Sequence, residues 1–366
     1  MAYDYRNTSV VNGNVHILKL RTPIGAGGTG NYTDLTNKPS INDVELIGEL
    51  TLVDLGIQPA GNYPDTPLTA VDIDIITGGA SCEESFFAIL EMSNEIILDD
   101  DISLTSQVVI DKNFTIDLSG QAISSLIDMP LFLVDGGYLT IRGTGTINTA
   151  NVIGSAINGG RIIIENGTLI SGDVGFETAG RNARVIFNGG SLTAAKGGIG
   201  IYSGSDIIFN KGQISTTDGP AIFSISEGNI IRFNGGKLIS NVRTEGYESV
   251  GVYLTNRGMF IMNGGDIIAN NGAGLLMRGG TAVISNGTIT ATGEPGITGW
   301  IGDEDTLMSK SAIIYHESAN YPGKEGMNLA VAGGVITGVD HSIEVLSNEA
   351  TPNVTVSGGT LSPAFP

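Results

Sequence analysis

The 366-residue chain holds one cysteine, Cys82. That excludes an intramolecular disulfide framework and suggests a small, buried residue. Positive charge is scarce: 18 Lys and Arg stand against 38 Asp and Glu, a formal net charge of −20. Nucleic-acid binding calls for a basic stripe, so the balance argues against that partner and favours solubility. No apolar run approaches the 18 residues of a membrane-crossing helix, and no membrane partner is expected. The start, MAYDYRNTSVVNGNVH, has neither the charged opening nor the apolar stretch of a secretory signal, and none is expected there. His16, His316 and His341 are too scattered for a zinc site, so neither metal nor cofactor is expected. Aromatics make up only 6% and charged residues 15%, whereas glycine occurs 54 times, a balance that suits a turn-rich all-β protein.

One phrase recurs. It reads RIIIENGTLIS from Arg161, RVIFNGGSLTA from Arg184, DIIFNKGQIST from Asp206 and IIRFNGGKLIS from Ile230. MFIMNGGDIIA from Met259, TAVISNGTITA from Thr281, NLAVAGGVITG from Asn328 and NVTVSGGTLSP from Asn353 continue it, and YLTIRGTGTIN from Tyr138 is a looser copy. The glycine two places before the last Ile or Leu falls at 145, 167, 190, 212, 236, 265, 287, 334 and 359. The steps are 22, 23, 22, 24, 29, 22, 47 and 25 residues, a period of about 22 to 25 with two expansions. Five and three places before the glycine the residue is nearly always apolar, as in Val185/Phe187, Ile207/Phe209 and Ile231/Phe233. Such alternation marks a strand with one buried face. A ladder of Ile147, Leu169, Leu192, Ile214, Leu238, Ile267, Ile289, Ile336 and Leu361 follows the glycine. A third apolar site is read at Ile157, Phe176, Ile201, Ile222, Val252, Leu275, Ile313 and Ile343.

Three short strands and three turns per period make one rung of a right-handed, single-stranded parallel β-helix. Leucine-rich repeats share the period, but nothing between these strands has helical periodicity. Asn188, Asn210, Asn234 and Asn263 each stand two residues before their glycine, placed to form an amide ladder down one corner. From Ser81, CEESFFAILEM reads as a capping helix with Ser81 or Ser85 as N-cap and acids in its first turn. A helix there would plug the end of the stack, as in solenoids similar to pectate lyases.

Residues 1–30 hold a hairpin, SVVNGNVHILKL, turning at Asn12-Gly13, and read as an attachment segment. Residues 63–78 are a linker, and 79–366 the solenoid. Between them, 31–62 is too short and apolar-poor for a core of its own, so association with other chains is expected. Its residues Asn37-Lys38-Pro39-Ser40-Ile41-Asn42, then Leu46 and Leu55-Gly56-Ile57, resemble a connector module of bacteriophage fibre and other virion structural proteins. The resemblance covers roughly 30 residues and departs from the usual pattern at Asp43, where glycine is common. It implies a trimeric connector without catalysis, joined through residues 1–62 to capsid, collar or tail proteins of a virion. It does not separate a head fibre from a tail fibre or spike.

The expansions place loops at 241–249, 292–310 and 316–327. They carry Trp300, Tyr247, Tyr321, His316 and Arg243, with Glu245, Asp303, Glu304, Asp305 and Glu317. Aromatic faces beside carboxylates suit a sugar ring, so host surface polysaccharide is the expected ligand. Packing of the same loops at a homotrimer interface is the plainer alternative. Glu245 with Asp303 or Glu317 would supply the acid and base of a tailspike depolymerase if their spacing allowed. A bacterial surface adhesin, the remaining alternative, would need an export signal or wall anchor. Replacing Trp300 with Ala is expected to leave folding intact and reduce adsorption to host cells; unchanged adsorption would remove this loop from recognition.

Overall fold

The computed structural model describes residues 4–11, 14–21, 40–41, 44–45, 74, 78–241, 249–295, 309–317, 323–347 and 352–364. Two compact units are present, Met1–Ile76 and Thr77–Pro366. In the first, strands Asp4–Val11 and Asn14–Arg21 pair antiparallel with Val11 opposite Asn14, so the hairpin turns at Asn12-Gly13 as the sequence indicates. Within the connector, Ser40–Ile41 pairs antiparallel with Val44–Glu45. Asn37, Lys38, Pro39, Asn42, Leu46, Leu55, Gly56 and Ile57 lie outside the described residues.

The second unit is a parallel β-solenoid whose three sheets contain twelve, eleven and ten strands. Strand Arg161–Ile164 lies on the first face, Thr168–Ser171 on the second and Val174–Ala179 on the third. The chain then returns to the first face at Arg184–Phe187, pairing residue for residue with Arg161–Ile164. Every rung repeats this order, so side chains at equivalent positions stand in columns. Ile164, Phe187, Phe209, Phe233 and Met262 form one column, all fully buried. The Phe187 and Phe209 rings stack at 4.9 Å and 13°, and Phe233 continues at 5.5 Å with a 40° tilt. The ladder from Ile147 to Leu361 is the inner column of the second face, in the register read from sequence.

The corner between the first two faces shows why the period ends in glycine. All nine anchor glycines have positive φ, from 78° at Gly190 to 145° at Gly145. At Gly236 a Cβ would also sit 2.6 Å from the Gly212 carbonyl oxygen and 2.6 Å from a Phe209 ring carbon. Chirality and the adjacent rung exclude a side chain together. Along this corner the asparagine ladder forms: Asn210 Nδ2 donates to Asn188 Oδ1, Asn234 to Asn210 and Asn263 to Asn234, each at 2.8 Å. Asn188 Nδ2 in turn donates to Glu165 at 3.0 Å.

Two expectations need correction. The third-face column runs Gly154, Phe176, Ile199, Ile222, so neither Ile157 nor Ile201 belongs to it. Phe176 crowds the space beside Gly154, and the Gly-Ile-Gly-Ile stretch puts both Ile199 and Ile201 inside, leaving its phase open. At the cap, the helix α1 (Glu83–Met92) starts from Cys82, not from a serine. Ser85 sits one turn in and its Oγ accepts the Cys82 N–H at 3.2 Å, while Cys82 itself is only half-buried. Glu83 accepts the Thr105 N–H at 2.6 Å and the Ser106 N–H at 3.1 Å, fixing the helix to the first rungs. Phe86 and Ile89 of α1 join the solenoid core.

Because column residues touch the rung above and the rung below, a hole in a column cannot collapse. Phe209→Ala is expected to cost about 3–5 kcal/mol in chemical denaturation. Phe233→Asp, which buries an unpaired charge, is expected to abolish the cooperative transition. A full-size transition in the Asp variant would contradict this packing.

Candidate functional site

Outward positions on the third face form a column as regular as the inner ones, and it is not a neutral surface. From Ser155 the register runs Glu177, Gly200, Phe223, Tyr253, Leu276, Ile314, Glu344. Gly200 leaves room for its neighbour: a Cβ there would meet the Phe223 ring at 2.5 Å and Tyr202 at 3.1 Å. Phe223 therefore lies over the backbone of the previous rung, with Tyr202 edge-on at 5.9 Å and 86°. The Tyr202 hydroxyl donates to Glu177 at 3.4 Å. One rung beyond Phe223, the Arg278 guanidinium stands 5.6 Å from the Tyr253 ring centroid and donates to its hydroxyl at 3.3 Å. Glu177, Tyr202, Phe223 and Tyr253 are each half-buried, with part of each side chain open to solvent.

Electrostatics follow from this crowding. Burial raises the Glu177 carboxyl above its ordinary range; the Tyr202 hydrogen bond opposes that, and the charge of Asp173 adds to it. Tyr202 is pushed up to about 12, first by burial and then by the adjacent Glu177 charge. Asp173 is paired with Lys196 at 3.2 Å. The strip thus offers partly exposed aromatic side chains beside a carboxylate that is half-withdrawn from water, an arrangement able to pack on a sugar ring and bond its hydroxyls.

Toward the other end the same face is covered. Val250, Ala273, Leu276 and Ile314 point outward by register yet are buried, with Tyr253 and Leu346 packed against them. Both large insertions leave from the adjoining corner. A second amide ladder ties their bases together: Asn270 Nδ2 donates to Asn241 Oδ1 at 2.7 Å, and Thr292 Oγ1 donates to Asn270 Oδ1 at 3.1 Å. The 292–310 insertion returns at Ser309–Ser311, whose hydroxyls both donate to buried Glu344, from Ser311 at 3.1 Å.

Of the loop residues expected to bind, Trp300, Tyr247, Tyr321, Arg243, Glu245 and Asp303 lie outside the described residues. His316 is not a loop residue. It ends strand Ile313–His316 and is 4% exposed, because the strand continues one residue past Tyr315 against Leu346. Glu317 accepts a hydrogen bond from Ser347 at 2.5 Å. Among the described residues no group of three or more His, Cys, Asp or Glu is placed to hold a metal. A cavity of about 550 Å³ beside α1 is lined by Phe87, Leu90, Val109 and Lys112. There Lys112 is occupied with the helix end, donating to the Leu90 and Ser93 carbonyls at 2.6 and 2.7 Å.

The signal for Glu177, Phe223 and Tyr253 was present in the sequence. Each immediately follows its inner-column residue Phe176, Ile222 or Val252. Comparison with protein-family models, curated proteins and solved structures returns no match, so function rests on the residues themselves.

A carboxyl raised by folding favours the protonated native state. Its stabilising contribution is complete below the ordinary carboxylate range and is lost as pH rises through the raised value. Glu177→Gln is therefore expected to be more stable than the parent at pH 7. Below about pH 4 the gain should vanish. Thermal unfolding at both pH values checks it, and an equal gain at both would refute the burial origin.

Proposed function

We propose that the chain is a structural protein of a bacteriophage particle, a head or tail fibre or spike whose solenoid contributes to attachment to host surface glycans. One observation carries the attachment: Phe223 and Tyr253 stand on successive strands of one sheet, with Tyr202 directly after the strand of the preceding rung and Glu177 beside it. Sites on strands are held in fixed spacing, so a glycan chain would meet them without ordering cost. The connector-like residues Asn37 to Asn42 and Leu55 to Ile57 support the virion reading, as does a solenoid of continuously paired rungs. Such a chain works as a homotrimer anchored through residues 1–62. Several weak sites on one particle then add avidity without a tight individual site.

A tailspike depolymerase is the second reading, favoured by the raised carboxyl of Glu177. Hydrolysis requires a second carboxylate at about 5 Å or about 6.5–9.5 Å from the first. Release of reducing ends from surface polysaccharide would distinguish it from binding alone.

Immunogold labelling of intact particles with antibody against the solenoid is expected to decorate head or tail projections. Phe223→Ala is expected to weaken binding of the full-length chain to immobilised host polysaccharide about tenfold, or about 1.4 kcal/mol, while the cooperative thermal transition is kept. Undecorated particles would overturn the virion reading, and undiminished binding would remove the strip from recognition.

A further inference from the structure

The first face presents a different surface. Its central outward column reads Ile163, Ile186, Ile208, Arg232, Ile261 and Val283 on consecutive rungs. These side chains are half-buried by one another but open on their outer side. Across the equivalent column of the second face, Thr193, Ser215 and Thr290 interrupt the apolar residues.

Charge separates the first face from the rest of the molecule. Along the rungs from Arg161 to Ala330 its outward positions hold three guanidiniums, Arg161, Arg184 and Arg232, against one carboxylate, Asp206. Asp206 is clasped by Arg184 at 2.8 Å and Arg232 at 3.5 Å, and Arg161 lies over the Tyr138 ring at 4.6 Å. The Nε atoms of Arg161 and Arg184 are buried with no hydrogen-bond partner among the described residues. A chain of net charge −20 thus has one flat face with a small positive surplus and an aliphatic stripe that one residue, Arg232, interrupts. The outward strand positions of the second face are balanced, Lys237 against Asp266, so the first is the one of the three faces with a positive surplus. Copies of so acidic a chain meet least charge repulsion through it.

We infer that the first face is where a second copy of this chain packs, solenoid against solenoid, with the isoleucine column at the contact. A face of seven rungs and four residues measures about 29 Å by 13 Å. That is less than the roughly 800 Å² per partner of a free-standing complex. It fits copies already held side by side, where tethering replaces area. To that extent the inference rests on the fibre reading above.

The test uses the full-length chain carrying Cys82→Ser, with Ile208→Cys on the first face or Thr193→Cys on the second, and a short bis-maleimide. Covalent dimer is expected at least tenfold faster from position 208 than from 193. Ile186→Glu with Ile261→Glu, both outward and added to the position-208 cysteine, should keep the thermal transition within a few degrees yet lower the cross-linking rate to that of position 193. Equal cross-linking at both positions, or an undiminished rate in the Glu variant, would overturn the face while leaving an oligomeric fibre in place. A parent chain that sediments as a monomer would overturn the contact and count against the fibre reading as well.

Discussion

Residue-for-residue backbone pairing between successive rungs is the constraint on which everything else depends. Ile164 opposite Phe187, Phe187 opposite Phe209 and Phe209 opposite Phe233 are consequences of that pairing before they are contacts between rings. A rung in isolation would leave its carbonyls and amides unpaired and its one row of aliphatic side chains wet, so no rung is stable alone. Once stacked, each position inherits the geometry of its predecessor. Phenylalanine then stacks on phenylalanine and asparagine hands a hydrogen bond to asparagine. The glycine corner recurs because the carbonyl of the rung below fills the place of a side chain.

A shared cross-section leaves variation only two outlets, the corners and the outward columns. The 29- and 47-residue steps both open at the corner between the second and third faces, where Asn241, Asn270 and Thr292 bind their bases together. The outward columns differ by face. The third carries aromatics and carboxylates and becomes covered toward Glu344, while the first carries isoleucine and arginine. A scaffold that is uniform inside is thus chemically distinct on its different sides. That division lets one face be proposed for ligand and another for a second copy.

Much of the architecture was legible because columns repeat. The Ile147-to-Leu361 ladder, the stacked rings and the Asn188–Asn263 ladder follow from spacing alone. Legibility failed where spacing carries no phase or where tertiary contact decides. The stretch Gly197–Ile201 has two equivalent readings, and Gly154 is covered by a ring from the next rung, so spacing alone does not fix the third-face column. Without that register the outward positions of Phe223 and Tyr253 carry no local mark, although each follows its inner residue directly. His316 looked like a loop residue because nothing local shows that its strand runs one position further. At Cys82, the cap went to a residue with poor capping chemistry because Ser85, one turn in, supplies the reciprocal bond.

The stacked register can be measured with a molecular ruler. Thr193 and Thr290 are outward on the second face four rungs apart, and Thr337 is one rung further. Pulsed electron–electron distances between spin labels at these positions, with Cys82 replaced and the chain magnetically diluted, read the stacking directly. About 19 Å is expected for 193 to 290 and about 24 Å for 193 to 337. The step containing the long insertion should add no more than any other rung. A last step several times larger than that, or distances that grow with sequence separation, would contradict the account.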